Sequence, residues 1–142
     1  MPLLDTNVLS EFMRIAPAAQ VVAWLNDQSA STLYTCAISR AEIELGLSLM
    51  PAGKRQLGLN QAATAMFDTD FAGMCLPFDV AAAICYAQIV TTRRRAGRPI
   101  SVEDAQIAAI AVVNQLPLAT RNVTDFLGIA GLTVVNPFNP GD

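Results

Sequence analysis

The segment LLDTNVLSEF, residues 3–12, places a carboxylate directly after an aliphatic run. A short continuous run of this kind is typical of a buried strand in a parallel sheet. Asp5 ends the run, and Thr6 and Asn7 follow it. Burying a carboxylate without a partner costs on the order of several kcal/mol or more. Asp5 is therefore expected either to cap the short helix that follows or to serve a functional site.

The composition indicates a folded protein, because 53% of the 142 residues are hydrophobic. No linker-like stretch divides the chain, so a single domain over residues 1–142 is expected. Cys36, Cys75 and Cys85 are odd in number and lack metal-ligand spacing. They are expected to be reduced core residues, which predicts a cytoplasmic protein. No signal peptide and no membrane-spanning segment are expected.

The charged residues exclude several classes of protein. Histidine is absent, which excludes histidine-dependent catalytic triads and zinc sites with imidazole ligands. The single lysine, Lys54, lies outside any glycine-rich phosphate loop, and no G-x-G-x-x-G pattern predicts dinucleotide binding. The net charge of -3 gives no overall attraction for nucleic acid. Any catalytic chemistry must use carboxylates, hydroxyls and arginines.

Apolar and β-branched runs alternate with longer helical patterns along the chain. The predicted strands cover residues 3–5, 31–38, 116–120 and 132–135. A short helix is predicted over residues 7–13, and longer helices are predicted over 16–28, 39–50, 54–73, 79–97 and 101–115. Such alternation is typical of a sheet between helical layers. The predicted fold is a three-layer α/β/α domain with a central, mainly parallel sheet of four to five short strands.

Acidic side chains follow the predicted strands or begin the helices after them. They are Asp5, Glu42, Asp104 and Asp125, with Asn122 near the last. Glu42 and Asp104 are each expected in the first turn of a helix. Because the carboxyl ends of parallel strands share one edge of a sheet, these side chains should converge. A structural alternative stays open, since SRAE (39–42) and SVED (101–104) both fit a capping box.

Converging carboxylates repel one another and raise each other's pKa values unless a cation lies among them. Oxygen ligands without histidine or cysteine suit Mg²⁺ or Mn²⁺. A carboxylate-held Mg²⁺ that keeps waters is common equipment for phosphodiester chemistry. Thr6, Asn7 and Thr120 would then contact the metal ligands or the substrate, although turn formation alone also explains them.

Four motifs together resemble the PIN-domain ribonucleases, specifically the VapC-type toxins of bacterial type II toxin–antitoxin pairs. They are LLDTNVLSE, ISRAEIELG, ISVEDAQIAAIA and LATRNVTDF, in the family's order and spacing. The resemblance covers nearly the whole chain. It implies a PIN-like fold and a magnesium-dependent endoribonuclease that cleaves single-stranded RNA. It also implies inhibition by a cognate VapB-type antitoxin, a homodimer, and contact with DNA only through the antitoxin.

The resemblance assigns roles to the acids. Asp5, Glu42 and Asp104 match the family's first three metal-binding acids. Asp125 is favoured for the fourth position, with Asn122 as a contact to water or the metal, although some members carry an acid at the Asn122 position. Asp5 and Asp104 would hold Mg²⁺, or Mn²⁺ in its place, and Glu42 would orient or deprotonate the attacking water or join the metal shell. Attack by water predicts products with 5′-phosphate and 3′-hydroxyl ends.

Four basic residues lie close together: Arg93, Arg94, Arg95 and Arg98. A basic helix end is favoured by the helix dipole and is usually solvated. The functional hypothesis is that these arginines contact RNA phosphates or the antitoxin. Similarly, three large apolar residues would either pack in the core or form an antitoxin groove. They are Phe12, Trp24 and Leu49.

The chain lacks residues that the competing functions require. An aspartyl phosphatase of the haloacid-dehalogenase type would need a second aspartate two positions after Asp5, where this chain has Asn7. A receiver-type signalling domain would need an acidic pair and a lysine after a late strand. A catalytically silent PIN-like module that binds RNA or scaffolds a complex remains the alternative.

Overall fold

Short strands alternate with helices along the chain. The computed structural model describes residues 1–28 and 32–139. The strands are β1 Leu3–Leu4, β2 Thr35–Cys36, β3 Cys75–Leu76, β4 Leu118–Ala119 and β5 Val134–Val135. The helices are α1 Thr6–Phe12, α2 Ala19–Asp27, α3 Ala37–Leu49, α4 Lys54–Ala65, α5 Val80–Arg95, α6 Val102–Val113 and α7 Val123–Phe126; a π-helical turn, Met66–Asp70, continues α4. Over the same residues, no helix combines the length and apolarity that a membrane span requires.

The strands form a parallel sheet whose order reverses beside β1. Strands β1, β4 and β5 pair in that order, and β2 pairs with β3. A parallel bridge between Leu3 and Tyr34 joins the two sets. The overall order is therefore β3-β2-β1-β4-β5, which confirms the predicted parallel sheet. In open sheets of this kind, ligands bind beyond the carboxyl ends of the strands where the order reverses, here between β1 and β4.

Each face of the sheet is covered by helices. Leu3 and Leu118 are fully buried in one core cluster, together with residues of α5, α6 and α7. Leu4 and Ala119, the next residue in each strand, are fully buried in a second cluster with residues of α1 to α4. Successive side chains of a strand point to opposite faces, so the two clusters lie on opposite sides of the sheet. The predicted three-layer architecture is confirmed.

Two elements were not predicted, and one was predicted with the wrong bounds. Strand β3 has two residues before a proline and helix α7 has four residues, so neither carries a periodic pattern. The strand predicted over 31–38 begins outside the described residues and ends early, since α3 starts at Ala37 with Cys36 as its N-cap. Ser39 therefore lies inside the first turn and is not an N-cap, and Glu42 lies in the second turn.

The buried residue Arg93 connects α5 to α7. Only 7% of Arg93 is exposed, and its Nη2 donates to the carbonyl oxygens of Asp125 (2.7 Å) and Leu127 (3.0 Å). These carbonyls lie at the end of α7, where a helix has no partners of its own for them. The guanidinium of Arg93 is thus used within the fold, which does not suit the predicted contact with RNA or antitoxin. Arg94 is exposed, as are Arg95 and Arg98.

Arg93→Ala should lower the free energy of unfolding by about 2–4 kcal/mol, because the carbonyl oxygens of Asp125 and Leu127 lose a charged donor that is itself buried. Arg94→Ala removes the same charge from an exposed position and should change it by less than about 0.5 kcal/mol. Urea denaturation of both variants measures the difference. Equal stabilities would show that the Arg93 contacts do not hold α7 in place.

Candidate functional site

The carboxylate of Asp5 joins the ends of β1 and β4. Asp5 is 4% exposed. Its Oδ1 accepts the backbone N–H of Thr6 at 2.7 Å, so it caps α1 as one alternative predicted. Its Oδ2 accepts the hydroxyl of Thr120 at 2.7 Å, across the point where the strand order reverses. Oδ1 keeps a second lone pair for another partner.

Asn7 and Thr120 extend this network around Asp5. The Nδ2 of Asn7 lies 3.3 Å from Thr120 Oγ1 and 3.4 Å from Asp5 Oδ2. Its Oδ1 accepts the backbone N–H of Arg121 at 3.1 Å. Thr120 Oγ1 also accepts the backbone N–H of Asn122 at 3.0 Å. These bonds tie the β1–α1 junction to the β4–α7 junction, so Asn7 and Thr120 orient Asp5.

Thr6 connects the same region to Glu42. The Thr6 hydroxyl lies 2.8 Å from Oε1 of Glu42 and 3.0 Å from Oγ of Ser39. A threonine hydroxyl has one proton. Thr6 donates it in a hydrogen bond to the carboxylate of Glu42, so the hydroxyl of Ser39 donates to Thr6. Ser39 is fully buried and was missed as a site residue, since the capping motif explained it. Its position three residues before Glu42, on the same helix face, was the available signal.

Asp104 and Asp125 lie together on the other side of the site. Both line a pocket of about 390 Å³ that Arg93 and Arg98 also line. Asp104 is half-buried in the first turn of α6, and its backbone N–H donates to Ser101 Oγ at 3.1 Å. The predicted N-cap at Ser101 is therefore confirmed.

The acids influence one another electrostatically. Burial raises the pKa of Asp5; the hydrogen bonds from Thr120 and Thr6 oppose this, and the charges of Glu42 and Asp125 add to it. Burial also raises the pKa of Asp104, as do the charges of Asp5 and Asp125, whereas a hydrogen bond with Ser101 lowers it. The structure thus brings all four predicted acids into one electrostatic unit. Asp125 acts on both Asp5 and Asp104.

The donor chemistry of this unit fits a hard divalent cation. All four side chains offer carboxylate oxygens, which suit Mg²⁺ or Mn²⁺. A cation among them would offset the repulsion that adds to the effect of burial on the pKa values of Asp5 and Asp104. Over residues 1–28 and 32–139, no three acidic or cysteine side chains lie close enough to share one ion. The acids are neighbours, but their carboxylates do not form a complete metal coordination shell.

Asp104→Asn should raise the melting temperature of the metal-free protein near neutral pH. Because the pKa of Asp104 is raised in the folded protein, its contribution to stability is complete only below the usual aspartate pKa. This contribution is lost as the pH rises through the pKa of Asp104 in the folded protein. Mg²⁺ should raise the melting temperature of the unsubstituted protein more than that of the variant. Thermal melts in EDTA and in Mg²⁺ measure both effects.

Asp70→Asn is the matched control, because Asp70 is an exposed aspartate of the π-helical turn and is not among the acids that raise the pKa of Asp104. Its melting temperature should keep the pH and Mg²⁺ dependence of the unsubstituted protein. An Asp104→Asn protein that melts lower than the unsubstituted protein in EDTA at neutral pH would contradict a destabilising carboxylate.

Comparison with known proteins agrees with this geometry. The profile of the PIN domain matches residues 3–131. The VapC ribonuclease Y4jK of Sinorhizobium fredii is 39% identical over 140 residues, which are 99% of each chain. Toxin FitB of Neisseria gonorrhoeae is 40% identical over 139 residues, which are 98% of this chain and 99% of FitB.

A solved structure is equally similar. The crystal structure of FitAcB from Neisseria gonorrhoeae superposes with a TM-score of 0.83 at 38% identity, covering 97% of this chain and 99% of that chain. The chain therefore belongs to the PIN-domain family, where its relatives include a VapC ribonuclease and the toxin FitB.

Proposed function

We propose that the protein is a magnesium-dependent endoribonuclease that cleaves single-stranded RNA and acts as the toxin of a toxin–antitoxin pair. One observation carries the proposal: the buried carboxylate of Asp5 lies where the order of the parallel sheet reverses, is linked through Thr6 to Glu42, and is coupled electrostatically to Asp104 and Asp125. The nuclease name of one relative and the toxin name of another support it.

The roles proposed for the acids are those that the resemblance to the family implies. Asp5 and Asp104 would hold Mg²⁺, or Mn²⁺ in its place, with Asp125 beside them as the fourth acid. When bound, the ion polarises the scissile phosphate and lowers the pKa of a bound water. Glu42, held by Thr6, would orient that water or take its proton. Water attack leaves 5′-phosphate and 3′-hydroxyl ends.

The proposed partner, a VapB-type antitoxin, would bind a groove beside the site. The groove has a volume of about 1030 Å³ and lies between α1, α3 and α4. Its walls include the exposed apolar residues Phe12 and Ile15, and it opens onto Thr6 and Glu42. A groove of this kind suits the apolar face of an amphipathic segment. Trp24, by contrast, is buried in the core.

The protein would be one domain and a homodimer that contacts DNA only through the antitoxin. Its cysteines are free within the described residues, which suits the cytoplasm. Arg94, Arg95 and Arg98 are exposed and remain proposed contacts for RNA or antitoxin.

Cleavage of single-stranded RNA should require Mg²⁺ and the acids. EDTA should abolish it, and Asp5→Asn or Asp104→Asn should slow it by about 100-fold or more, since a metal contributes several kcal/mol and each tenfold is about 1.4 kcal/mol. Purified protein and end-labelled RNA give the rate and the chemistry of the ends. A cyclic phosphate end would contradict attack by water.

Two exposed acids serve as matched controls. Glu103→Gln next to Asp104, and Glu44→Gln on the same helix as Glu42, should keep nearly full activity. RNA that is bound but uncut with Mg²⁺ and with Mn²⁺ would favour the silent binding module instead.

Ile15→Asp should abolish antitoxin binding while RNA cleavage persists, because Ile15 is fully exposed and lines the groove. Leu49→Asp introduces the same charge at an exposed leucine outside the groove lining and should retain binding. Copurification with the co-expressed antitoxin measures both. If Ile15→Asp still binds the antitoxin, the antitoxin binds a different surface of the protein.

A further inference from the structure

The backbone of Arg121 is fixed to the acid network. Arg121 follows Thr120, whose hydroxyl donates to Asp5. Its own N–H donates to Oδ1 of Asn7 at 3.1 Å. The same hydrogen bonds that orient Asp5 therefore fix the backbone position from which the Arg121 side chain extends.

The guanidinium of Arg121 is held by an aromatic ring. Its central carbon lies 4.4 Å from the ring centroid of Phe138. Phe138 is half-buried and packs against the core cluster that contains Leu4, and its N–H donates to Oδ1 of Asn136 at 2.9 Å. Stacking uses the face of the guanidinium and leaves its in-plane N–H donors at the edge. Such donors match the oxygens of a phosphate.

The charge of Arg121 is not used in an ion pair within the described residues. The ion pairs there involve Arg14 and Arg40. Arg121 does act electrostatically on Glu11. However, Glu11 already pairs with Arg14 at 3.1 Å and accepts the N–H of Ala18 at 2.8 Å. An oriented cation is therefore left on the exposed rim of an acidic site.

We propose that Arg121 binds a phosphate of the RNA next to the scissile one, and that Phe138 is a positioning residue for it. The inference rests on the proposed ribonuclease function and names a new contact within it. Four carboxylates repel a polyanion, so the substrate strand needs a cation beside them. Arg121 provides that cation from the strand–helix junction that also orients Asp5.

The test measures RNA binding in the Asp104→Asn background, so that it does not depend on cleavage. Fluorescence anisotropy with a short labelled single-stranded RNA gives the dissociation constant over a series of KCl concentrations. Arg121→Gln should weaken binding about fivefold to tenfold at low salt and reduce the log–log salt slope by about 0.7, the value for one phosphate on a single strand. Arg121→Lys should restore the slope but not the full affinity.

Arg40→Gln is the matched control. Arg40 also stacks on a phenylalanine, Phe67 at 4.9 Å, but it pairs with Glu44 and Asp68. The control should leave the salt slope unchanged. Phe138→Leu should weaken binding when Arg121 is present and add nothing to Arg121→Gln, which a purely structural role of the ring would not produce.

An unchanged salt slope for Arg121→Gln, or an equal loss for Arg40→Gln, would overturn the inference. Additive effects of Phe138→Leu and Arg121→Gln would overturn the positioning role of Phe138. A protein that binds RNA with the predicted Arg121 dependence but never cleaves it would contradict the proposed nuclease activity and leave the Arg121 contact standing.

Discussion

The hydrogen bond from Thr120 to the buried carboxylate of Asp5 is the contact on which the site depends. It joins the ends of β1 and β4, the two strands between which the sheet order reverses. The same carboxylate caps α1, and Asn7 links it to the chain after β4. Moving any one of these junctions would displace Asp5 relative to the other acids.

Structural roles coincide with the proposed functional roles in these residues. Asp5 is a helix cap and Asp104 follows a capping serine, yet both belong to the coupled acid unit. The coincidence has a simple cause: helix N-termini favour acids, and a parallel sheet gathers helix N-termini at one edge. Burial and repulsion then raise the pKa values of Asp5 and Asp104, so the metal-free site is destabilised. Functional sites commonly carry such a cost.

Local patterns predicted the elements that carry strong local signals. The aliphatic residues before Asp5 and Thr120 became β1 and β4, and the long periodic segments became α2 to α6. The start of α3 was missed because Ile38 is β-branched and favours a strand by propensity, whereas the backbone turns helical after Cys36. Strand β3 forms only through pairing with β2.

The topology of a parallel sheet predicted that the acids converge. It did not predict which residues hold them in place. Arg93 appeared to belong to a solvated basic cluster; its burial depends on carbonyls that lie more than 30 residues further along the chain. Ser39 was explained by a capping motif until the helix start moved. Contacts of this kind depend on tertiary packing, which no local pattern encodes.

The most direct test of the central claim is anomalous diffraction from crystals soaked in Mn²⁺. A metal-dependent site predicts a manganese peak in contact with the carboxylates of Asp5 and Asp104, on the side where Asp125 and Glu42 lie. A well-ordered soaked crystal with no peak at these acids, or with manganese bound only elsewhere, would contradict a metal-dependent site at the reversal of the sheet.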